Sequence, residues 1–137
     1  MTHRTTPPVQ DGLLQLRDAL REFAAERDWD QFHTPKNLAI ALSVEAAELL
    51  EHFQWAGDND SAQFTPGKLE EVSEEVADVL LYLVRLADKL DINLLHAATL
   101  KIGRNAEKYP IDKARGSSKK YTEFHSDIDI EGSGSIK

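Results

Sequence analysis

The sequence predicts an all-α fold that resembles a four-helix bundle, and three observations lead to this prediction. Apolar residues recur at helical spacing along four long segments. Thr34-Pro35 is a typical helix start, and Tyr109-Pro110 is a typical helix stop. No segment alternates between apolar and polar residues as a half-buried β-strand does.

The first predicted helix runs from about residue 11 to residue 28, and residues 1–10, which contain two prolines, are predicted to be disordered. The helix carries one apolar stripe, formed by Leu13, Leu16, Leu20 and Phe23. A linker rich in aromatic residues follows it and contains Trp29, Phe32 and His33. We expect these linker residues to pack on a neighbouring element.

The second predicted helix extends from Lys36 to about Trp55, behind an N-cap formed by Thr34. Its central part, residues 38–50, is apolar on almost every side, which predicts burial on most faces. Residues 56–67 are rich in Gly, Pro, Asn and Asp and are predicted to form a loop.

The third predicted helix runs from about residue 68 to residue 90, and the fourth from residue 94 to residue 108. The third carries a heptad seam of apolar residues, which suits either a bundle core or a dimer interface: Leu69, Val72, Val76, Val79, Leu83, Leu86 and Leu90. The predicted domain therefore covers residues 11–110, and residues 111–137 are predicted to form a flexible polar tail.

Composition excludes several classes of protein. The 137 residues fit a single domain and contain no cysteine, which rules out disulfides, thiolate zinc sites, iron–sulfur clusters and a cysteine nucleophile. No apolar run approaches the roughly 20 residues that a membrane-spanning helix needs, and the N-terminus lacks a signal sequence. We therefore expect a cytoplasmic protein without a membrane partner.

The formal net charge of −8 is concentrated in the middle of the chain. Residues 37–100 hold 12 acidic and only 3 basic side chains, whereas the flanking segments are nearly neutral. Because binding to nucleic acid requires clustered Lys and Arg, we expect no nucleic-acid partner. The acidic middle is either a solvated surface or a site for cations.

Two pairs of acids favour a cation site. Glu45 and Glu48 form an E-x-x-E pair, and Glu75 and Asp78 form an E-x-x-D pair, so each pair shares one face of its helix. A carboxylate in an apolar helix needs a proton, a hydrogen-bond partner or a metal, and the second helix offers no basic partner after Lys36. Four carboxylates suit Mg²⁺, which commonly bridges to substrate phosphates. A di-iron bundle would require E-x-x-H motifs, which are absent from the sequence.

Other residues could hold a nucleotide, although each also has an ordinary structural use. Lys101 and Asn105 lie one turn apart on the fourth helix and could face a triphosphate, or Lys101 could simply complement the helix dipole. Trp29 and Trp55 could stack on a base, with His33 nearby, or could pack within the protein.

The sequence resembles the MazG-like all-α nucleoside triphosphate pyrophosphatases, and within them the dCTP pyrophosphatase branch. The resemblance covers about residues 13–121 and rests on five motifs: RDWDQFHTPKNL, E-x-x-E, FQW, EEVADVLLYL and KIGRNAEKYP. It implies hydrolysis of a deoxynucleoside triphosphate such as dCTP to the monophosphate and diphosphate. It also implies assembly as a homodimer or as a tetramer of two dimers.

The resemblance implies a role for each candidate residue. It implies that Mg²⁺ is held by four acids, Glu45, Glu48, Glu75 and Asp78. It implies that the substrate is held by Trp29, His33, Trp55, Tyr82, Lys101 and Asn105. For the general base we favour Glu48, with Glu45 and Glu71 as alternatives, since spacing alone does not say which carboxylate faces the water.

Two alternatives remain open at this point. The substrate could be dUTP or another non-standard deoxynucleoside triphosphate. The chain could also be a non-catalytic helical oligomerisation module that uses the heptad seam and leaves its acids in solvent.

Overall fold

The computed structural model describes residues 11–55 and 64–125. These residues form six helices: α1 (Gly12–Glu26), α2 (Pro35–Glu51), α3 (Pro66–Lys89), α4 (Leu94–Lys108), α5 (Ile111–Ala114) and α6 (Tyr121–His125). The described residues contain no strand, so the prediction of an all-α fold is confirmed. The segment predicted to be disordered, 1–10, and most of the predicted loop lie outside the described residues.

The chain divides into two compact units, which meet in sequence at Leu94. The first unit contains α1, α2 and α3, three of the four long helices that the sequence predicts. The second unit contains nearly all of α4 together with α5 and α6. Both short helices lie in the segment expected to be a flexible tail, of which residues 126–137 are outside the described part.

The same local signal starts α2 and α3. The Thr34 hydroxyl accepts a hydrogen bond from the Asn37 N–H at 3.2 Å, and Pro35 occupies the first helical position. The Thr65 hydroxyl accepts from the Lys68 N–H at the same distance, so α3 begins two residues before the predicted start at residue 68. At its other end α2 stops at Glu51, four residues short of the predicted end, because residues 52–55 form turns.

Helices α2 and α3 pack side by side in opposite directions. At one end the side chain of His52 lies 2.6 Å from that of Lys68, between the imidazole Nδ1 and the ammonium Nζ. At the other end Arg85 of α3 reaches His33, just before α2. The antiparallel arrangement aligns the middle of α2 with the middle of α3, where the acidic pairs lie.

The side chains of α2 are less buried than the sequence predicts. Leu38 is 1% exposed, whereas Ile40, Val44 and Leu50 are 53%, 50% and 65% exposed. The expectation of burial on most faces is therefore wrong for this single chain, in which α3 is the main neighbour of α2. The apolar residues on the other faces of α2 are available to contact a further surface.

The C-terminus of α1 turns the following loop back onto the helix. Asp28 adopts a left-handed conformation, with φ of 53°. The Trp29 N–H donates to the Ala24 carbonyl at 2.9 Å and the Asp28 N–H donates to the Ala25 carbonyl at 3.1 Å, the two bonds of a Schellman motif. The Trp29 ring consequently packs edge-on against Phe23, with centroids 5.6 Å apart.

Among the described residues, no helix has both the length and the apolar composition that crossing a membrane requires.

Candidate active site

Three carboxylates converge between α2 and α3. Glu45 and Glu48 from α2 and Glu75 from α3 each place one carboxylate oxygen within 4.8 Å of the others. The three-residue spacing puts the first two on one face of α2, and the antiparallel packing brings that face to Glu75. We call Glu45, Glu48 and Glu75 the carboxylate cluster.

Two oxygens of the carboxylate cluster lack compensation. Glu45 Oε2 and Glu75 Oε2 are buried and have no hydrogen-bond partner among the residues that the structure describes. A buried ionised carboxylate without a partner is strongly unfavourable, so a proton or a cation must satisfy it. An oxygen-only donor set of this kind fits a hard divalent cation such as Mg²⁺.

The electrostatics of the cluster affect Glu45 most. The pKa of Glu45 is raised from 4.5 to about 7; burial makes the largest contribution, and the neighbouring Glu75 and Glu48 carboxyl groups contribute to the same rise. Repulsion from the charges of Glu48 and Asp78 acts in the same direction. Protons and metal ions therefore compete for the same oxygens near neutral pH.

Asp78, the fourth predicted ligand, lies next to the carboxylate cluster but outside the group of oxygens within 4.8 Å. Its side chain is exposed, and its charge is close enough to raise the pKa of Glu45. Asp78 also lines a cavity, so it is near both the cluster and that cavity.

The cavity has a volume of about 210 Å³ and lies between α1, the loop after α1, and α3. We call it the aromatic cavity, since Phe23, Trp29 and Tyr82 form part of its wall. The remaining lining residues are Leu20, Ala24, His33, Asp78, Leu81 and Arg85. This volume is below the roughly 300–1,000 Å³ of complete small-molecule sites, so the cavity would hold a part of a nucleotide.

The structure gathers some of the predicted substrate residues and leaves others apart. Trp29, His33 and Tyr82 all line the aromatic cavity. Trp55 does not line it and is 90% exposed, in the turn after α2. Lys101 and Asn105 are exposed on α4, one turn apart, and belong to the second unit.

Sequence reasoning missed Arg85, which the structure places in the wall of the aromatic cavity. Its side chain is 5% exposed, and it pairs with Asp30 in the loop and with Asp88 at 3.5 Å. It also donates from Nε to His33 Nδ1 at 3.1 Å. The sequence contains a signal for this role, since Arg85 is the single charged residue within the apolar run LLYLVRLA. A buried cation needs partners, as a buried acid does.

The ion pairs around Arg85 connect α1, the loop and α3. Asp30 accepts from Lys89 at 3.1 Å, and the Lys89 ammonium lowers the pKa of Asp30, with a further contribution from Arg85. Asp88 accepts from Arg21 Nε at 2.8 Å, and the Arg21 guanidinium holds the pKa of Asp88 below its usual range. Both aspartates therefore remain charged around neutral pH.

The family is established by comparison with known proteins. A model of the MazG-like family matches residues 40–124. The chain therefore belongs to the MazG-like family, which confirms the resemblance inferred from the motifs and agrees with the all-α fold.

Individual relatives are similar over most of the chain. The chain is 45% identical to dCTP pyrophosphatase 1 of Homo sapiens over 120 residues, which cover 86% of this chain and 68% of that protein. It is 43% identical to dCTP pyrophosphatase 1 of Mus musculus over the same length and shares of the two chains. A crystal structure of a pyrophosphatase from Archaeoglobus fulgidus aligns with a TM-score of 0.66 and 44% identity, covering 77% of this chain and 99% of that one.

Proposed function

We propose that the chain is a Mg²⁺-dependent nucleoside triphosphate pyrophosphohydrolase that converts dCTP and water to dCMP and diphosphate. The observation that carries the proposal is the carboxylate cluster, with its two buried unpartnered oxygens, beside the aromatic cavity. The substrate is proposed from the 42–45% identity to proteins named dCTP pyrophosphatase 1.

The carboxylate cluster is the proposed metal site. Glu45 and Glu75 would direct their buried oxygens at Mg²⁺, and Glu48 and the exposed Asp78 would complete the protein ligands. When bound, Mg²⁺ lowers the pKa of a coordinated water and neutralises charge on the phosphates. The net acidity of this region is then compatible with a polyanionic substrate.

Glu48 is the proposed general base. Neither of its oxygens is among the buried unpartnered ones, in contrast to Glu45 and Glu75. Glu48 can therefore use one oxygen toward the cation and keep the other for the attacking water. Its carboxylate would accept the proton of that water as the phosphoanhydride bond between the α and β phosphates breaks.

The aromatic cavity is the proposed base subsite. Trp29 would stack on the cytosine ring, His33 would donate or accept a hydrogen bond at its edge, and Tyr82 would lie toward the sugar. Trp55 is proposed as a second stacking residue, and Lys101 and Asn105 as ligands of the phosphates. These last three assignments rest on the motif resemblance.

Product analysis tests the proposed reaction. The full-length protein is incubated with Mg²⁺ and each of dCTP, dUTP, dTTP, dATP and dGTP, and the products are separated by ion-exchange chromatography. We expect dCMP and diphosphate from dCTP, with turnover abolished by EDTA and restored by excess Mg²⁺. Formation of dCDP and phosphate would contradict the reaction, and faster turnover of dUTP would contradict the proposed base preference.

We further propose that the chain acts as a homo-oligomer, either a dimer or a tetramer of two dimers. The heptad seam of α3 is only partly covered, since Leu69, Val76 and Leu90 are 55%, 51% and 50% exposed. The exposed apolar residues of α2 add to this surface, so two helices packed against each other both present apolar side chains to water. Burial against a second copy would remove it from water.

Matched substitutions test this assembly. Leu69→Lys places a charge in the seam and is expected to shift the protein to a smaller species, because burying an unpaired ammonium in an interface is unfavourable. Glu70→Lys introduces the same residue at the adjacent exposed position and should leave the assembly intact. Size-exclusion chromatography with light scattering gives the mass. A wild-type mass equal to the 15.4 kDa of one chain would contradict the proposal.

A further inference from the structure

Arg85 has an unusual position for a charged side chain. Only 5% of it is exposed, and among the residues that the structure describes no other charged or polar residue is buried as a whole. It is held at three points: by Asp30 from the loop, by Asp88 one turn along α3, and by the ring of His33. Asp88 is in turn held by Arg21 of α1, so the arrangement is fixed from three elements.

The bond between Arg85 and His33 defines the state of the imidazole. The guanidinium carries N–H donors and no acceptor, so His33 Nδ1 must accept the hydrogen bond from Arg85 Nε with its lone pair. A protonated imidazole has no lone pair to offer. His33 must therefore be neutral, and its one ring hydrogen must lie on Nε2.

We propose that Arg85 is a positioning residue that fixes His33 in the Nε2–H tautomer, so that His33 presents a hydrogen-bond donor to the ligand of the aromatic cavity. The part of this proposal that concerns the ligand rests on the proposed function. With cytosine in the cavity, the complementary groups are its acceptors, O2 and N3, and its exocyclic amino group would face elsewhere.

The other groups around His33 agree with a neutral ring. Burial lowers the pKa of His33, and the cations of Arg85 and Lys89 lower it further, against the opposing effect of Asp30. Because Asp30 is itself paired with both cations, its charge is largely compensated. The Trp29 ring lies 6.1 Å from the imidazole, between ring centroids, and limits its rotation on that side.

The aromatic cavity contains two further titratable groups that share its wall with His33. Asp78 and Tyr82 both come from α3, whereas His33 comes from the loop. No hydrogen bond joins either of them to His33 within the described part of the chain, so Nε2 remains available to a ligand. The donor is therefore in place before the ligand arrives, which reduces the free energy needed to order the site on binding.

The tautomer can be read directly, without turnover. Long-range ¹H–¹⁵N correlation spectra of the full-length ¹⁵N-labelled protein at pH 7.5, without nucleotide, distinguish Nε2–H from Nδ1–H and from imidazolium. The His33 signals are assigned by their loss in His33→Gln. We expect the Nε2–H pattern in the wild type. An Nδ1–H pattern or an imidazolium at this pH would overturn the proposal, whatever the behaviour of any variant.

Two substitutions separate positioning from simple structural support. Arg85→Lys retains the positive charge but loses the Nε donor, and we expect a mixture of His33 tautomers. For dCTP we expect KM to rise about tenfold, because a change of this size corresponds to the loss of roughly one hydrogen bond to the ligand. We expect kcat to change less than about threefold. Arg17→Lys, at a partly exposed site on α1, is the control and should alter neither.

The outcomes distinguish this proposal from the proposed function. If His33 of the wild type is the Nε2–H tautomer and the protein does not hydrolyse dCTP, the tautomer assignment is supported and the proposal that dCTP is the substrate is contradicted. A wild type that hydrolyses dCTP while His33 is an Nδ1–H tautomer supports the substrate and overturns the role of Arg85. Unchanged tautomer and unchanged KM in a folded Arg85→Lys variant would also overturn it.

Discussion

Replacing Glu48 with Gln is expected to lower kcat for dCTP hydrolysis by a factor of about 10³ or more. The amide cannot accept a proton from water and is a weaker ligand for Mg²⁺, so the variant loses the base and weakens the metal site together. The fold should persist, because Gln has nearly the same shape as Glu and removes one of three mutually repelling charges. Rates are measured from diphosphate release at saturating Mg²⁺, with circular dichroism to confirm the helices.

Two controls make the Glu48 result specific. Glu51→Gln changes an exposed acid one turn further along α2 and should leave kcat within about twofold of the wild type, as a surface change does. Glu71→Gln tests the alternative base; Glu71 is exposed, pairs with Lys68 at 3.5 Å and lies outside the carboxylate cluster. A large loss in Glu71→Gln with an active Glu48→Gln would reverse the assignment.

The helices were predictable because their start signals are local. Thr34-Pro35 supplies a cap and a fixed φ at the position where α2 begins, and the sequence reveals both. Thr65-Pro66 supplies the same cap and fixed φ for α3, which therefore begins two residues before the predicted start at residue 68. The end of α2 was misplaced because Phe53 and Trp55 continue the apolar composition into a turn.

The acidic residues of the site were predictable in part because a charge in an apolar helix requires compensation. The sequence predicted one site formed by Glu45, Glu48, Glu75 and Asp78, and in the structure the first three of these carboxylates lie together between α2 and α3. The Mg²⁺ site itself stays a prediction. Spacing could not show that Asp78 turns partly toward a cavity, since that depends on how α1 and its loop pack on α3.

Arg85 escaped prediction because its partners are distant in sequence. Asp30 and His33 lie more than 50 residues before it, and they reach it only because Asp28 turns the chain at the end of α1. The exposure of α2 has a different cause. An apolar face indicates that something covers it, but the sequence does not say whether this is the same chain or a second copy.

The metal-free protein is expected to become more stable when Glu45 is replaced with Gln. In the wild type Glu45 has a pKa raised to about 7, above its ordinary value of 4.5. A raised carboxyl pKa means that the folded state binds the proton more tightly than the unfolded state. This contribution to the free energy of unfolding is present below about pH 4.5 and is lost as the pH rises through about 7.

Thermal unfolding with EDTA measures this difference. At pH 8 we expect Glu45→Gln to melt several degrees above the wild type, since about 1 kcal/mol corresponds to roughly 4 °C in a domain of this size. At pH 5 the difference should shrink, because Glu45 of the wild type is then protonated. Glu22→Gln, at an exposed site on α1, should melt with the wild type at both pH values.

Addition of Mg²⁺ should reverse the order of stability at pH 8. A cation that binds only the folded wild type stabilises that state. Once the free ion concentration exceeds the dissociation constant, the melting temperature of the protein rises with the logarithm of that concentration. Glu45→Gln lacks one buried ligand oxygen, so its melting temperature should respond much less, and its dCTP turnover should fall by about 10² or more. The variant would then be the more stable and less active protein. Equal responses of the melting temperature to Mg²⁺ in both proteins would show that Glu45 is not a ligand. A metal-free Glu45→Gln variant that is less stable than the wild type at pH 8 would show that the charge of Glu45 is already compensated within the fold.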